Sequence, residues 1–131
     1  MMPNNFDQTA IEDVLGGVIR DIGVSANVFP NRPRSSSADL KDFVVCKVTG
    51  NVTDLRALGT CTVSVHLFAK DIANGKNRDK LSFMQRTLTE GMPRSVENLL
   101  IDDVPTIVGD TPDKNGYHAR IILYSLILKV V

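Results

Sequence analysis

The stretch that decides the fold covers residues 60–69 and reads TCTVSVHLFA. Cysteine, valine, valine and leucine occupy every second position from Cys61 to Leu67, and threonine, serine and histidine occupy the positions between them. Alternation with a period of two is typical of a β-strand that buries one face and exposes the other to water. Because such strands belong mostly to antiparallel sheets, the stretch predicts a half-buried antiparallel strand.

A partner strand for this stretch lies upstream. Residues 43–48 read FVVCKV, and their β-branched side chains predict a strand that pairs with 60–69 as a hairpin. That pairing would place Cys46 opposite Cys61 to within one residue, with residues 50–59 as the connecting loop. Since the N-terminus shows neither a basic nor an apolar signal region, we expect free thiols in a reducing, intracellular compartment.

Two segments have the spacing of helices that bury one face. The first covers residues 9–22, with Thr9 and Glu12 placed as a capping box. The second covers residues 78–90, with Asn77 as its N-cap. The apolar stripe of the second helix consists of Leu81, Met84 and Leu88.

The remaining segments predict strands and turns. A short strand is expected at 26–29, and one or two more at 96–109, while turn-forming residues fill 110–116. The last element, 117–130, is apolar on both faces, so it either lies centrally under a second layer or lies beneath a subunit interface.

Together these elements predict one α+β domain over residues 1–131. The expected architecture is a two-layer sandwich, in which a mainly antiparallel sheet carries two helices packed on one face. No internal repeat is visible, and the longest apolar stretch is too short for a membrane-spanning helix.

Charge is unevenly distributed along a chain whose formal net charge is zero. Residues 97–113 contain five acids and no base, whereas 70–94 carry an excess of three basic residues. A neutral molecule with separated charges suits head-to-tail association, although ordinary solvated loops give the same pattern. Nucleic-acid binding as a main role is disfavoured, because the chain lacks a net positive field.

No catalytic or metal-binding motif is apparent. His66 and His118 have no ligand-pair spacing, and a small enzyme that used them would need both near an acid in one cleft. Cys61 is predicted on an apolar face, where a thiol is unreactive. We therefore predict no catalytic residues, no metal and no cofactor.

The order of elements resembles that of the tail terminator, or tail completion, proteins of long-tailed phages and related prophages. The segments that carry this resemblance are FPNRP at 29–33, FVV at 43–45, TCTVSVHLF at 60–68 and DKNGYH at 113–118, which precedes a long apolar strand. The resemblance implies a ring of subunits, commonly six, that caps the tail tube and joins it to the head. It implies no catalytic residues.

On this hypothesis the chain acts through surfaces. Its partners would be copies of itself, the tail tube and the head connector, with no membrane and no sequence-specific nucleic acid. It would lie in the host cytoplasm before assembly and in the virion tail afterwards. The alternative is a monomeric or dimeric binding module for a small molecule or protein on the same scaffold. The candidate interface residues are Arg32, Arg34, Lys41, Lys70, Lys76, Arg78, Glu97, Asp102, Asp103, Asp110 and Tyr124.

Overall fold

The protein belongs to the α+β class, with two helices and a mostly antiparallel sheet in the part of the chain that is described. The computed structural model describes residues 8–30, 40–49, 53–55, 58–73, 75–92, 94–96, 99–101, 104–113 and 116–129. The elements in chain order are α1 (Gln8–Ile22), β1 (Val28–Pro30), β2 (Asp42–Val48), β3 (Thr53–Leu55), β4 (Leu58–Lys70), α2 (Arg78–Gly91), β5 (Arg94–Val96), β6 (Leu99–Ile101), β7 (Thr106–Asp113) and β8 (Tyr117–Lys129).

Strands β4 and β8 form the centre of the sheet. They pair antiparallel along their whole length, from Leu58 opposite Lys129 to Lys70 opposite Tyr117. The strand order is β1-β2-β4-β8-β6-β5, with β3 beside β4 and β7 beside β8. The alternation predicted for β4 is confirmed, because the side chains of Cys61, Val63, Val65 and Leu67 are all buried.

The antiparallel pairing of β2 with β4 is confirmed, but the two strands do not form a simple hairpin, and the predicted register is wrong. Cys46 lies opposite Val65, while Cys61 lies opposite Leu126 of β8, and both thiols are free. The reason is β3, which forms inside the segment predicted to be a loop and pairs with the first residues of β4. Strand β2 is left to pair with the second half of β4.

Helix α1 begins at Gln8, one residue before the predicted start, so Thr9 is not the first residue outside the helix as an N-cap would be. Thr9 lies inside the helix, and Glu12 is buried. The Glu12 carboxylate accepts a hydrogen bond from the backbone N–H of Val48 at 2.8 Å, so it ties α1 to β2. On the same helix, Gly16 lets β1 pack closely, because a Cβ at this position would lie 3.3 Å from Cγ of Pro30.

Helix α2 follows the sequence prediction closely. The side chain of Asn77 accepts a hydrogen bond from the backbone N–H of Lys80 at 3.2 Å and caps the helix. The predicted stripe is buried, whereas Phe83, which lies off the stripe, is 54% exposed. At the helix end, a Cβ at Gly91 would lie 2.6 Å from Ile22 of α1, so the two helices meet there.

The C-terminal half of the sheet contains more strand than predicted. Strand β7 continues to Asp113, so residues 110–113, which were predicted to lie in a turn, belong to a strand. One face of β8 is core, formed by Ile122, Tyr124, Leu126 and Leu128. The other face is only partly covered, since Ile127 is 39% exposed.

Candidate functional site

Exposed apolar side chains concentrate on β8 and on the segment from β6 to β7 that pairs with it. Among the described residues, seven large apolar side chains are exposed, and five of them lie on β6, β7, β8 or the link from β6 to β7. We call these five the apolar edge: Leu100, Val104, Ile107, Val108 and Ile127. Val104 is 72% exposed and Val108 is 56% exposed, which is more than a solvated strand normally leaves open.

Strand β7 lies at an edge of the described sheet. It pairs with β8 on one side, and no other described strand pairs with it. The register shifts between Ile107 and Gly109, where Gly109 has a φ of +120°. A bulge of this kind interrupts the ladder of free backbone groups and hinders continuous strand addition. A partner on this edge would therefore contact mainly the apolar side chains.

Asp110 of β7 is neutralised within the chain. Its two carboxylate oxygens accept hydrogen bonds from the Arg120 guanidinium at 2.7 and 3.0 Å, and Lys76 Nζ lies 3.1 Å away. The hydrogen bonds from Arg120, and to a smaller extent from Lys76, lower the pKa of Asp110 from 3.8 to about 2, outweighing the opposite effect of burial.

The same guanidinium also reaches α2. Arg120 donates to Ser82 Oγ at 3.2 Å and to Gln85 Oε1 at 3.0 Å. Strands β7 and β8 and helix α2 are therefore held by one ion-pair network. Asp110, predicted as an interface acid, is already paired inside the chain, and its side chain is only 11% exposed.

Tyr124 is not a surface residue, which corrects its prediction as an interface residue. It is 1% exposed in the core, and its hydroxyl has no hydrogen-bond partner among the described residues. A side chain without exposed surface cannot contact a second subunit. Five other candidates lie outside the described residues: Arg32, Arg34, Glu97, Asp102 and Asp103.

The basic candidates that are described gather around the start of α2. Lys41 precedes β2, Lys70 ends β4, and Lys76 and Arg78 flank the N-cap of the helix. Beside them lies a cavity of about 310 Å³, which we call the lysine pocket. Its lining consists of Lys41, Asp42, Lys70, Asp71, Ile72, Asn77 and Lys80.

Both carboxylates of the lysine pocket have side-chain partners. Asp42 accepts a hydrogen bond from Ser25 Oγ at 2.5 Å and forms a salt bridge with Lys80 at 3.1 Å. Asp71 lies 2.7 Å from Nδ1 of His118. Sequence reasoning found the lysines here, but not Asp42 or Asp71, because these two are distant from each other in sequence and have no shared motif.

The two histidines do not form a common site. Residues that pair across strands share a face of the sheet, and successive residues alternate. His118 pairs with Ala69 and His66 with Ile121, so the two imidazoles lie on opposite faces. His66 contacts Ser64 Oγ at 3.0 Å, and burial, with a smaller effect of Lys47, lowers its pKa.

The thiols lie in environments that suppress reactivity. Burial and, to a smaller extent, the charge of Glu12 raise the pKa of Cys46 to about 12, and burial raises the pKa of Cys61 to about 11. Among the described residues, no three side chains of histidine, cysteine, aspartate or glutamate are grouped so that they could hold a metal ion.

The comparisons with known proteins give no relationship. The chain matches no protein-family model, and a search of curated proteins also finds no match. Neither described helix is long and apolar enough to cross a membrane. The functional argument therefore rests on the apolar edge and the lysine pocket.

Proposed function

We propose that the protein is a structural assembly subunit that binds further copies of itself through the apolar edge. The observation that carries this proposal is the concentration of exposed apolar side chains around β7, at an open edge of the described sheet. Leu100 and Ile127 are paired across β6 and β8, so two exposed apolar side chains adjoin on one face. Contiguous apolar surface of this kind is typical of interaction sites.

The occupant we propose is a second copy of the chain. The five side chains that define the apolar edge are uncharged, and among the described residues the carboxylate of Asp110 on the same strand as Ile107 and Val108 is neutralised by Arg120 and Lys76. An apolar surface matches another apolar surface best, and every copy carries exposed apolar side chains both on β7 and on the β6–β8 pair, so that different parts of the edge can meet. Apolar contact is therefore the main attraction in this proposal, and the contact between acidic and basic segments that the sequence predicted is secondary.

In finer detail, we propose that these contacts build a ring that caps a phage tail tube and joins it to the head connector. The resemblance of the element order to tail terminators supports this detail. Ring closure requires the edge of one copy to meet a different surface of the next. The subunit would occupy the host cytoplasm before assembly and the virion tail after it.

We also propose that the domain is a two-layer sandwich with both helices on one face of the sheet. Support comes from the contact of the helices near Gly91 and Ile22, and from side chains that tie each helix to the sheet. Glu12 of α1 reaches β2, and Ser82 of α2 receives a hydrogen bond from Arg120 of β8. That arrangement would leave the opposite face of β8 available to a partner.

Mass measurement by light scattering after size-exclusion chromatography tests the assembly. The wild type is expected to form a species heavier than the 14.3 kDa chain, with a sixfold mass for a six-membered ring. Val108→Lys should shift the population toward the monomer. Phe83→Lys is the matched control, because Phe83 is 54% exposed against 56% for Val108 and lies on α2, outside the apolar edge.

The outcome also separates apolar from electrostatic association. If apolar contact dominates, the assembly persists in about 1 M NaCl, where the screening length is about 3 Å. A protein that remains monomeric at all accessible concentrations would refute the proposal. Such a result would favour the alternative, a binding module, for which the cavity of about 310 Å³ is the supporting observation.

A further inference from the structure

We propose that His66 makes the pairing of β2 with β4 sensitive to acid, so that protonation of this imidazole loosens β2 from the sheet. The proposal concerns a switch inside the protomer, and it does not depend on the assembly role. The argument uses three features: the position of His66 in the sheet, the charges that surround it, and the unequal extent to which its two neighbouring strands are paired.

His66 lies in the interior of the sheet, between two apolar partners. It pairs with Val45 of β2 and with Ile121 of β8, and all three side chains lie on one face, which we call the His66 face. The imidazole is half-buried there. Its centroid lies 6.4 Å from that of the nearly parallel ring of Phe68, and its Nε2 lies 3.0 Å from the buried hydroxyl of Ser64. A positive charge formed at this position would be only partly solvated.

The charge nearest to His66 on this face is also positive. Lys47 of β2 pairs with Ser64, so it lies diagonally next to the imidazole on the His66 face. The other neighbours on β2, β4 and β8 that share this face carry no charge: Val45, Ser64, Phe68, Ala119, Ile121 and Leu123. Among the described strand residues, an acid occurs on this face only at Asp113, which pairs with Tyr117 at the first residue of β8. An imidazolium at position 66 would therefore have a like charge beside it and no adjacent counter-charge.

The surroundings of His66 determine the sign of the pH dependence. Burial and, to a smaller extent, the charge of Lys47 lower the pKa of His66 below its ordinary value of 6.5. Because the unfolded chain takes up this proton more readily, the folded sheet loses stability as the pH falls below about 6.5. Protonation also makes Nε2 a donor only, so the hydroxyl of Ser64 must accept the hydrogen bond between them.

Strand β2 is the neighbour that can open locally. Strands β4 and β8 pair over thirteen residues, whereas β2 pairs with β4 over seven and with β1 over only three. Opening of β2 moves Lys47 away from the imidazole and admits water to it, so both causes of the lowered pKa are relieved. Opening of β8 would leave Lys47 in place. Local opening of this kind costs less free energy than global unfolding.

Nuclear magnetic resonance titration of the imidazoles in the full chain tests the electrostatic step. The chain contains two histidines, so one variant of each assigns the signals. We expect His66 to titrate below 6.5, and Lys47→Gln should raise its midpoint toward 6.5. Arg86→Gln is the matched control, because it removes the same charge from an exposed position of α2 and should leave the midpoint unchanged.

Native-state hydrogen exchange tests the loosening of β2. The N–H of Thr49 donates to the carbonyl of Thr62 at 2.8 Å, and such bonds recur at every second residue, so the amides of Val45 and Lys47 also point toward β4. Protection relative to the intrinsic exchange rate is compared at about pH 8 and about pH 5, which bracket the titration of histidine. We expect these two amides to lose more protection in acid than the amides of β8 lose.

Histidine variants assign the effect to one residue. His66→Gln should abolish the acid-dependent loss of protection in β2. His118→Gln is the matched control, because His118 lies on the opposite face of the sheet, and this variant should retain the loss.

Three results would overturn the proposal. A midpoint for His66 at or above 6.5, or equal midpoints in Lys47→Gln and wild type, would contradict the electrostatic step. Equal loss of protection in β2 and β8 would indicate global destabilisation and not local opening. Retention of the acid effect in His66→Gln would assign it to a different group.

Discussion

Replacing Asp110 with asparagine should destabilise the protein in a pH-dependent way. Asparagine keeps the size of the side chain but removes the charge that Arg120 and Lys76 face. Arg120 has 15% side-chain exposure, so its guanidinium loses its counter-charge in a largely buried position. A depression of the pKa from 3.8 to about 2 corresponds to about 2 kcal/mol of stability at neutral pH.

The sign of the pH dependence follows from the direction of the shift. Because the pKa of Asp110 is lower in the folded state than in the unfolded state, the carboxylate adds stability above the unfolded value. That contribution falls as the pH drops through the folded value. The difference between wild type and Asp110→Asn should be about 2 kcal/mol at pH 7, about 1 kcal/mol at pH 3, and below about 0.5 kcal/mol near pH 2.

Urea unfolding followed by circular dichroism measures this difference at each pH. Asp113→Asn is the control, since it makes the same change on the same strand at a residue with no salt bridge among the described residues. The control should stay within about 0.5 kcal/mol of wild type. A free-energy difference for Asp110→Asn that is the same at pH 7 and pH 3 would refute the electrostatic explanation.

Three further substitutions or treatments test the core. Tyr124→Phe should raise the free energy of unfolding by about 1 kcal/mol, because it removes a buried hydroxyl that has no hydrogen-bond partner among the described residues. Stability equal to or lower than that of the wild type in thermal unfolding would contradict this. Glu12→Ala should lower stability by about 1–3 kcal/mol by leaving the N–H of Val48 unpaired, whereas Glu12→Gln retains an acceptor and should lose less. Iodoacetamide should label Cys46 and Cys61 at pH 8 only as the protein unfolds in urea, since burial raises both thiol pKa values; rapid labelling without urea would show that the thiols are accessible.

The sequence predicts local structure well where one side-chain pattern determines it. The alternation in 60–69 identifies a strand and its buried face, and Asn77 followed by the stripe of α2 identifies a capped helix. The register of β2 could not be predicted in the same way. It depends on whether β3 or β2 occupies the first half of β4, and that competition between strands leaves no signal in either strand alone.

The pairing of charges in the candidate site also could not be predicted from the sequence. Counting acids and bases predicts that Asp110 and Lys76 face different partners, since they lie in segments of opposite charge. In the structure these two residues are 3.1 Å apart, because β7 folds back beside β8 and the start of α2. Charges that are segregated along the sequence are therefore not necessarily segregated on the surface. The tertiary fold determines which charges are paired within the chain and which are left to contact a partner.

This pairing changes the physical basis of the assembly hypothesis. Association of an acidic surface with a basic one requires charged side chains that are not already paired within the chain. Asp110 is already paired with Arg120 and Lys76. The apolar edge does meet the corresponding condition for hydrophobic association, because Val104, Ile107 and Val108 are exposed in the protomer. Burial of such side chains contributes about 25 cal/mol for each Å² removed from water, with little dependence on salt. If copies of this chain associate, the strength of that association should therefore follow the apolar area of β7 more closely than the net charge of its neighbouring loops.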